Sequence, residues 1–194
     1  MPVNMSVTGE GVLLSGEQIY QVQQAFTSET FSRNEDRISI RATTASCFFT
    51  SYYNRPEEIN LRDFLRHCPL GVRVTGQERD AAMAATGDGT IEQACTKFEK
   101  SQVDELLMSV MGITSDNLAM EGRGIPLVYL EEYDSYYNFI SDYGPGFFEC
   151  FGGEICGNTV YLYSPSAILT LVQREGTWYI YSHVLINPMF AHHS

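Results

Sequence analysis

The chain has 194 residues, 44% of them hydrophobic and 19% charged, a globular rather than disordered composition with enough length for one self-sufficient core. Its 24 Asp and Glu outnumber 12 Lys and Arg for a formal charge of −12, which makes nucleic acid and anionic membrane surfaces poor partners. Lys97 and Lys100 are the two lysines and the arginines form no basic stripe, so the acid excess serves solubility.

The first 14 residues read as irregular, and MPVNMSVTGEG lacks the charged and apolar segments of a signal peptide. No later run approaches the roughly 18 apolar residues of a membrane helix, so no transmembrane segment is expected. The chain reads as soluble as given, or as the mature part of an exported protein whose leader was removed.

Residues 15–124 read as mainly helical. Ser15 is placed to cap a first helix, with Gln18 at the capping-box position and Ile19, Val22 and Phe26 at helical spacing. PEEINLRDFLRHCP predicts a second helix that starts at Pro56 and stops before Pro69, and a third spans 76–85 up to Gly87-Asp88-Gly89. SQVDELLMSVMG predicts a fourth, capped by Ser101 and stopped by Gly112, followed by a short turn at Thr114 or Ser115.

From 125 to 187 the period becomes alternating and predicts an antiparallel meander, ahead of a tail over 188–194. Its strands are expected at 127–134, 135–140, 147–151, 159–164, 167–173 and 177–186, joined by turns at GPG, CGN, SPSA and REG. A three-residue loop at Arg174-Glu175-Gly176 would set Leu171 against Tyr179 and Leu169 against Tyr181, while a two-residue turn at Pro165-Ser166 adds Val160 and Leu162 to that face. The opposite face then carries Tyr161, Tyr163, Ile168, Val172, Trp178, Ile180 and Val184. Helices followed by strands define a single α+β domain over 1–194, with N-terminal helices packed on a curved sheet whose second apolar face needs a cover: a cavity wall, a further segment of the chain or a second copy of it.

AILTLVQREGTWYIYSHVLI behind those helices resembles the cone-shaped α+β fold of the nuclear-transport-factor-two-like and cystatin-like superfamily. In that superfamily, enzymes often place an Asp and a His in the pocket between sheet and helices. CFFTSYYNRPEEINLRDFL, VYLEEYDSYYNFISDYGPGFF, GNTVYLYS and LTLVQREGTWYIYSH together resemble a family of uncharacterised exported or lipid-anchored proteins of anaerobic gut Firmicutes. That resemblance implies a bacterial source and an exported or cell-surface setting, and no reaction. The lipobox cysteine of such proteins is missing near the start of this chain.

Candidate chemistry is sparse. His183 on YSHVLI, with Asp134 or Asp142 as an orienting carboxylate, would make an acid–base pair. Cys47 lies in an apolar segment without a neighbouring base, which suits a buried thiol. The five cysteines show no CxxC spacing, and Cys150 and Cys156 reach each other only if FGGEI turns tightly. No phosphate loop, HExxH, GxSxG or strand-borne GxGxxG occurs. The spacing of Asp134, Ser135, Asn138 and Asp142 does not match a calcium loop, although the oxygens of Glu131, Glu132, Asp134 and Asp142 could hold a hard cation weakly, and His192-His193 could bind a transition metal; no structural metal and no cofactor are expected.

Nine of the twelve tyrosines fall between Tyr129 and Tyr181. Tyr133, Tyr136, Tyr137, Tyr161, Tyr163, Trp178, Tyr179 and Tyr181 are therefore the candidate ligand-binding residues, able to stack on a sugar ring or grip a small ligand, while Tyr52-Tyr53 either complete a cleft or pack. The favoured expectation is a non-catalytic binding or interaction domain for a small ligand, carbohydrate or second protomer. The alternatives are a small-molecule hydrolase, isomerase or dehydratase using His183 and Asp134, and a structural component covered by a partner chain.

Overall fold

In the computed structural model, which describes residues 11–25, 29–34, 37–122, 124–139 and 146–186, the capping box at Ser15 is formed. Ser15 N–H donates to Gln18 Oε1 at 2.9 Å and Gln18 N–H to Ser15 Oγ at 3.3 Å. After a short strand β1 (Val12–Leu13), this cap starts α1 (Gly16–Ala25), whose Val22 is fully buried.

Two strands, β2 (Glu29–Asn34) and β3 (Arg37–Ala42), pair next as a hairpin inside the region expected to be mainly helical. A 3-10 turn over Thr44–Phe49 then buries Ala45, Ser46, Cys47, Phe48 and Phe49 together.

The helix expected from Pro56 is divided. Pro56–Glu58 makes one 3-10 turn, and Asn60 then accepts from Asp63 N–H at 3.1 Å and caps a new, short helix α2 (Leu61–Arg66). An asparagine in extended conformation ends one helix and begins the next. Strand β4 (Val72–Val74), helix α3 (Gly76–Ala85) and strand β5 (Cys95–Glu99) follow.

Helix α4 (Lys100–Met111) starts one residue before the expected cap, and Ser101 makes no cap bond. The Asp104 carboxylate is instead held by the Lys100 ammonium and by the Ser115 N–H and hydroxyl. Gly112 (φ 72) stops the helix as expected, donating to the Leu107 and Met108 carbonyls.

The strands beyond form two separate sheets rather than one meander. Strands β6 (Val128–Leu130) and β7 (Ser135–Asn138) join β4 and β5 in the order β4-β5-β7-β6. Strands β8 (Gly152–Cys156), β9 (Thr159–Tyr163), β10 (Ala167–Arg174) and β11 (Thr177–Leu185) form an antiparallel sheet with β1 on its edge, β1-β8-β9-β10-β11. The fold class is α+β, as expected, with two strands of the smaller sheet drawn from the half read as helical.

Strand β8 replaces the one expected at 147–151. Its Gly-Gly start looks like a turn, yet a Cβ on Gly153 would lie 2.5 Å from the Tyr161 carbonyl oxygen and 2.8 Å from Leu14. Glycine there lets β9 and the β1 segment approach closely.

The loop expected at Arg174-Glu175-Gly176 is a two-residue turn. Arg174 faces Thr177, and Glu175 (φ 51) and Gly176 (φ 81) are both left-handed, the geometry whose twist suits a hairpin. The register therefore moves by one: Leu171 faces Ile180, and after a bulge Leu169 faces His183. Ile180 and Trp178, expected on the far face, join the core with Ile155, Val160, Leu162, Leu169 and Leu171. The turn at Pro165-Ser166 has the expected register, with Leu169 facing Leu162 and Leu171 facing Val160.

The core of the larger sheet is filled by α1, the 44–49 turn, α2 and α4. The smaller sheet turns Phe98 and Tyr136 toward that core, and turns Cys95, Val128 and Tyr137 toward Ala82 of α3.

Candidate functional site

His183 sits where three distant segments meet. Its backbone N–H donates to the Tyr53 carbonyl at 2.9 Å, and Tyr53 N–H donates back at 2.8 Å, so one residue pair clips segment 51–53 to β11. Tyr53 is thereby turned inward, 2% exposed, and donates its hydroxyl to the Phe48 carbonyl at 3.1 Å; burial pushes its phenol far up. Tyr52, on the alternate side, is 51% exposed.

The third segment is 146–150. A Cβ on Gly146 would lie 2.2 Å from the Phe49 carbonyl carbon, so the backbone is laid directly on the end of the 44–49 turn. From there the side chains alternate without strand pairing: Phe147 and Glu149 face out, Phe148 and Cys150 face in. That alternation is the pattern behind the strand expected at 147–151.

The His183 imidazole is almost fully enclosed, with ring centres of Tyr52 at 4.7 Å, Phe49 at 5.6 Å, Phe148 at 6.1 Å and Tyr53 at 6.2 Å. Its Nδ1 lies 2.9 Å from the Ser51 carbonyl oxygen. A carbonyl can only accept, so Nδ1 carries the proton and the neutral ring keeps its lone pair on Nε2. Burial lowers the pKa of the ring, with the Ser51 bond opposing, and the neutral form is the one present at neutral pH.

Beside this ring opens a cavity of about 280 Å³ lined by Tyr52, Phe147, Glu149, Ser164, Pro165, Ser166, Ala167 and His183. Its far wall is the β9–β10 turn, where Ser164 Oγ accepts from Ala167 N–H at 2.9 Å and donates to the Ala167 carbonyl at 3.1 Å. Phe147 is 69% exposed and, with Tyr52, flanks the cavity with aromatic surface.

Of the sequence candidates, His183 lines this cavity, and Tyr52 does so from the segment read as either cleft or packing. The proposed pair with Asp134 is not formed. Asp134 lies at the tip between β6 and β7, left-handed at φ 44, where its Oδ1 accepts the Tyr129 hydroxyl at 2.6 Å. Asp142 and His192-His193 lie outside the described residues.

The eight aromatic candidates do not form one surface. Tyr136 and Tyr137 lie on β7 of the smaller sheet and Tyr133 in the 3-10 turn before it: Lys97 stands over the Tyr133 ring at 5.6 Å, Tyr136 shares a bond with Ser115 at 2.8 Å, and Tyr137 donates to Glu78 at 2.6 Å. On the larger sheet Tyr163 donates to Glu154 at 2.8 Å, Tyr161 and Tyr179 are half-buried, Trp178 packs on the core and Tyr181 is the bulged residue. Sequence reading missed Phe147 and Glu149, and the alternation that could have found them was spent on a strand.

Cysteines play no part in the cavity. All five are free thiols, so Cys150 and Cys156 are not bridged. Cys47 is fully buried, as expected, and a hydrogen bond with Cys68 together with burial pushes its thiol far up. Among the described residues no three His, Cys, Asp or Glu side chains converge as metal ligands, and no helix is long and apolar enough to cross a membrane.

The fold and site thus define an α+β protein with a small, aromatic-flanked cavity built on a neutral histidine. Comparison with models of known protein families, with curated proteins and with solved structures finds no match to the chain.

Proposed function

We propose that the chain is a non-catalytic binding domain whose ligand is a small hydroxylated ring, of the chemistry of a single sugar unit. The cavity at His183 carries this reading. Ligand pockets commonly run about 300–1,000 Å³, and about 280 Å³ suits one ring rather than a chain. Exposed Tyr52 and Phe147 offer faces for stacking. Glu149 and the His183 Nε2 accept from ligand hydroxyls, and Ser166 adds a hydroxyl of its own.

Binding rather than turnover is favoured because Asp134, the carboxylate expected to pair with His183, is held by the Tyr129 hydroxyl instead. The resemblance to exported and lipid-anchored bacterial proteins supports a setting outside the cytoplasm, where free sugars are met.

Calorimetric titration of a monosaccharide panel tests the reading. One member is expected to bind, with Tyr52→Ala and Phe147→Ala each weakening it about tenfold, the scale of one aromatic contact. Binding unchanged in both variants, or absent across the panel, would remove it. Sedimentation run alongside reads the competing occupant: self-association lost in the same two variants would make a second copy of the chain the partner.

A further inference from the structure

Arg62 on α2 is 5% exposed, and its Nε is buried without a hydrogen-bond partner. None of the ion pairs among the described residues includes it, whereas Arg55 pairs with Glu58 at 3.0 Å and Arg79 donates to the Ile91 carbonyl at 2.8 Å. A chain with 24 acidic residues turns no described carboxylate toward its most deeply placed described arginine.

The placement of that guanidinium is specific. Leu61 N–H donates to the Ala119 carbonyl and the Asn60 side chain to the Glu121 carbonyl, both at 2.8 Å, which staples segment 119–122 onto the start of α2. A Cβ on Gly122 would lie 2.3 Å from Nη1, and one on Gly124 would lie 3.5 Å from Nη2. A side chain at 122 would strike the fork, so glycine there lets the backbone lie directly against the guanidinium, whose Nε is the nitrogen fully buried without a partner.

A guanidinium removed from water needs a counter-charge, and its flat fork matches two oxygens of one oxyanion. We infer that Arg62 anchors a small oxyanion site at the seam between α2, residues 119–122 and Gly124, taking a carboxylate or phosphate group on its terminal nitrogens. The site shares no residue with the His183 cavity.

Thermal melting of the full chain at fixed ionic strength tests this, with chloride replaced stepwise by inorganic phosphate in one series and by acetate in another. A saturable rise is expected in at least one, about 3–6 °C at tenfold excess over the dissociation constant, and the series that responds identifies the group. Arg62→Met should melt in chloride no lower than the parent, because an unpaired buried charge is exchanged for apolar volume, and should lose the saturable rise. Arg62→Lys, which keeps the charge without the fork, should show a weaker rise. No saturable rise in the parent, the same rise in Arg62→Met, or an undiminished rise in Arg62→Lys would each overturn the assignment. Should Arg62→Met fail to fold, the guanidinium NMR resonance of Arg62 in the parent decides: movement on adding the anion supports the site, and a static signal overturns it.

Discussion

At His183 one buried side chain of β11 sets both the site and its pH response. The folded ring has a pKa below the ordinary 6.5 because it is buried. As pH falls the unfolded chain therefore takes up the proton first, and stability is lost where the unfolded state binds more protons. Stability should be level above about pH 7 and decline as pH passes down through 6.5. His183→Asn, which keeps a donor toward Ser51, should erase that upper decline in denaturant melts across pH. The acid loss from Glu78 and Asp104 should remain, since both carboxyls are held low and titrate below their ordinary 4.5 and 3.8; an upper decline that persisted in the variant would remove His183 as its source. The histidine itself was legible in YSHVLI, but its partner was not. Ser51 lies 132 residues away and contributes a carbonyl, which every residue type possesses.

At the level of elements, capping chemistry was the most legible feature and glycine the most misleading. Ser15 with Gln18, and Gly112, act as read, because each bond lies within a few residues of the residue that makes it. Gly152-Gly153 instead begins a strand, and only the folded neighbours reveal why. The pair supplies an internal control. Gly153→Ala drives a Cβ into the Tyr161 carbonyl and should cost about 1–3 kcal/mol by overpacking. Gly152→Ala meets nothing within 4 Å and should stay within about 0.5 kcal/mol of the parent. Equal losses in chemical denaturation would mean that β8 does not approach β9 as described. Ser101 failed as a cap because Asp104, the acid that made it look like a capping box, is committed to Lys100 and Ser115.

Across the whole molecule, the change of period near residue 125 correctly announced antiparallel strands but not their division into two sheets. Strands β4 and β5 are short, and β7, the second partner of β5, lies beyond α4, so no local pattern marks them as a sheet. The site has the same non-local character: segments near 50, 148 and 183 must all meet before the cavity exists. Loop closure over such separations is slow relative to helix formation. Pulsed hydrogen exchange during refolding should therefore protect the amides of Tyr53 and His183 later than those in the middle of α4, and simultaneous protection would argue that the clip forms early. That clip has a further consequence for how copies of the chain behave toward one another. Strand β11 is nine residues long and forms the outer edge of its sheet, and an open edge of that length is a template onto which another chain can add and aggregate. The bulge at Tyr181 breaks its regular spacing, and Tyr53 occupies the bonding positions of His183 next to it. The contact that builds the cavity wall thus also guards the edge of the sheet against runaway strand addition.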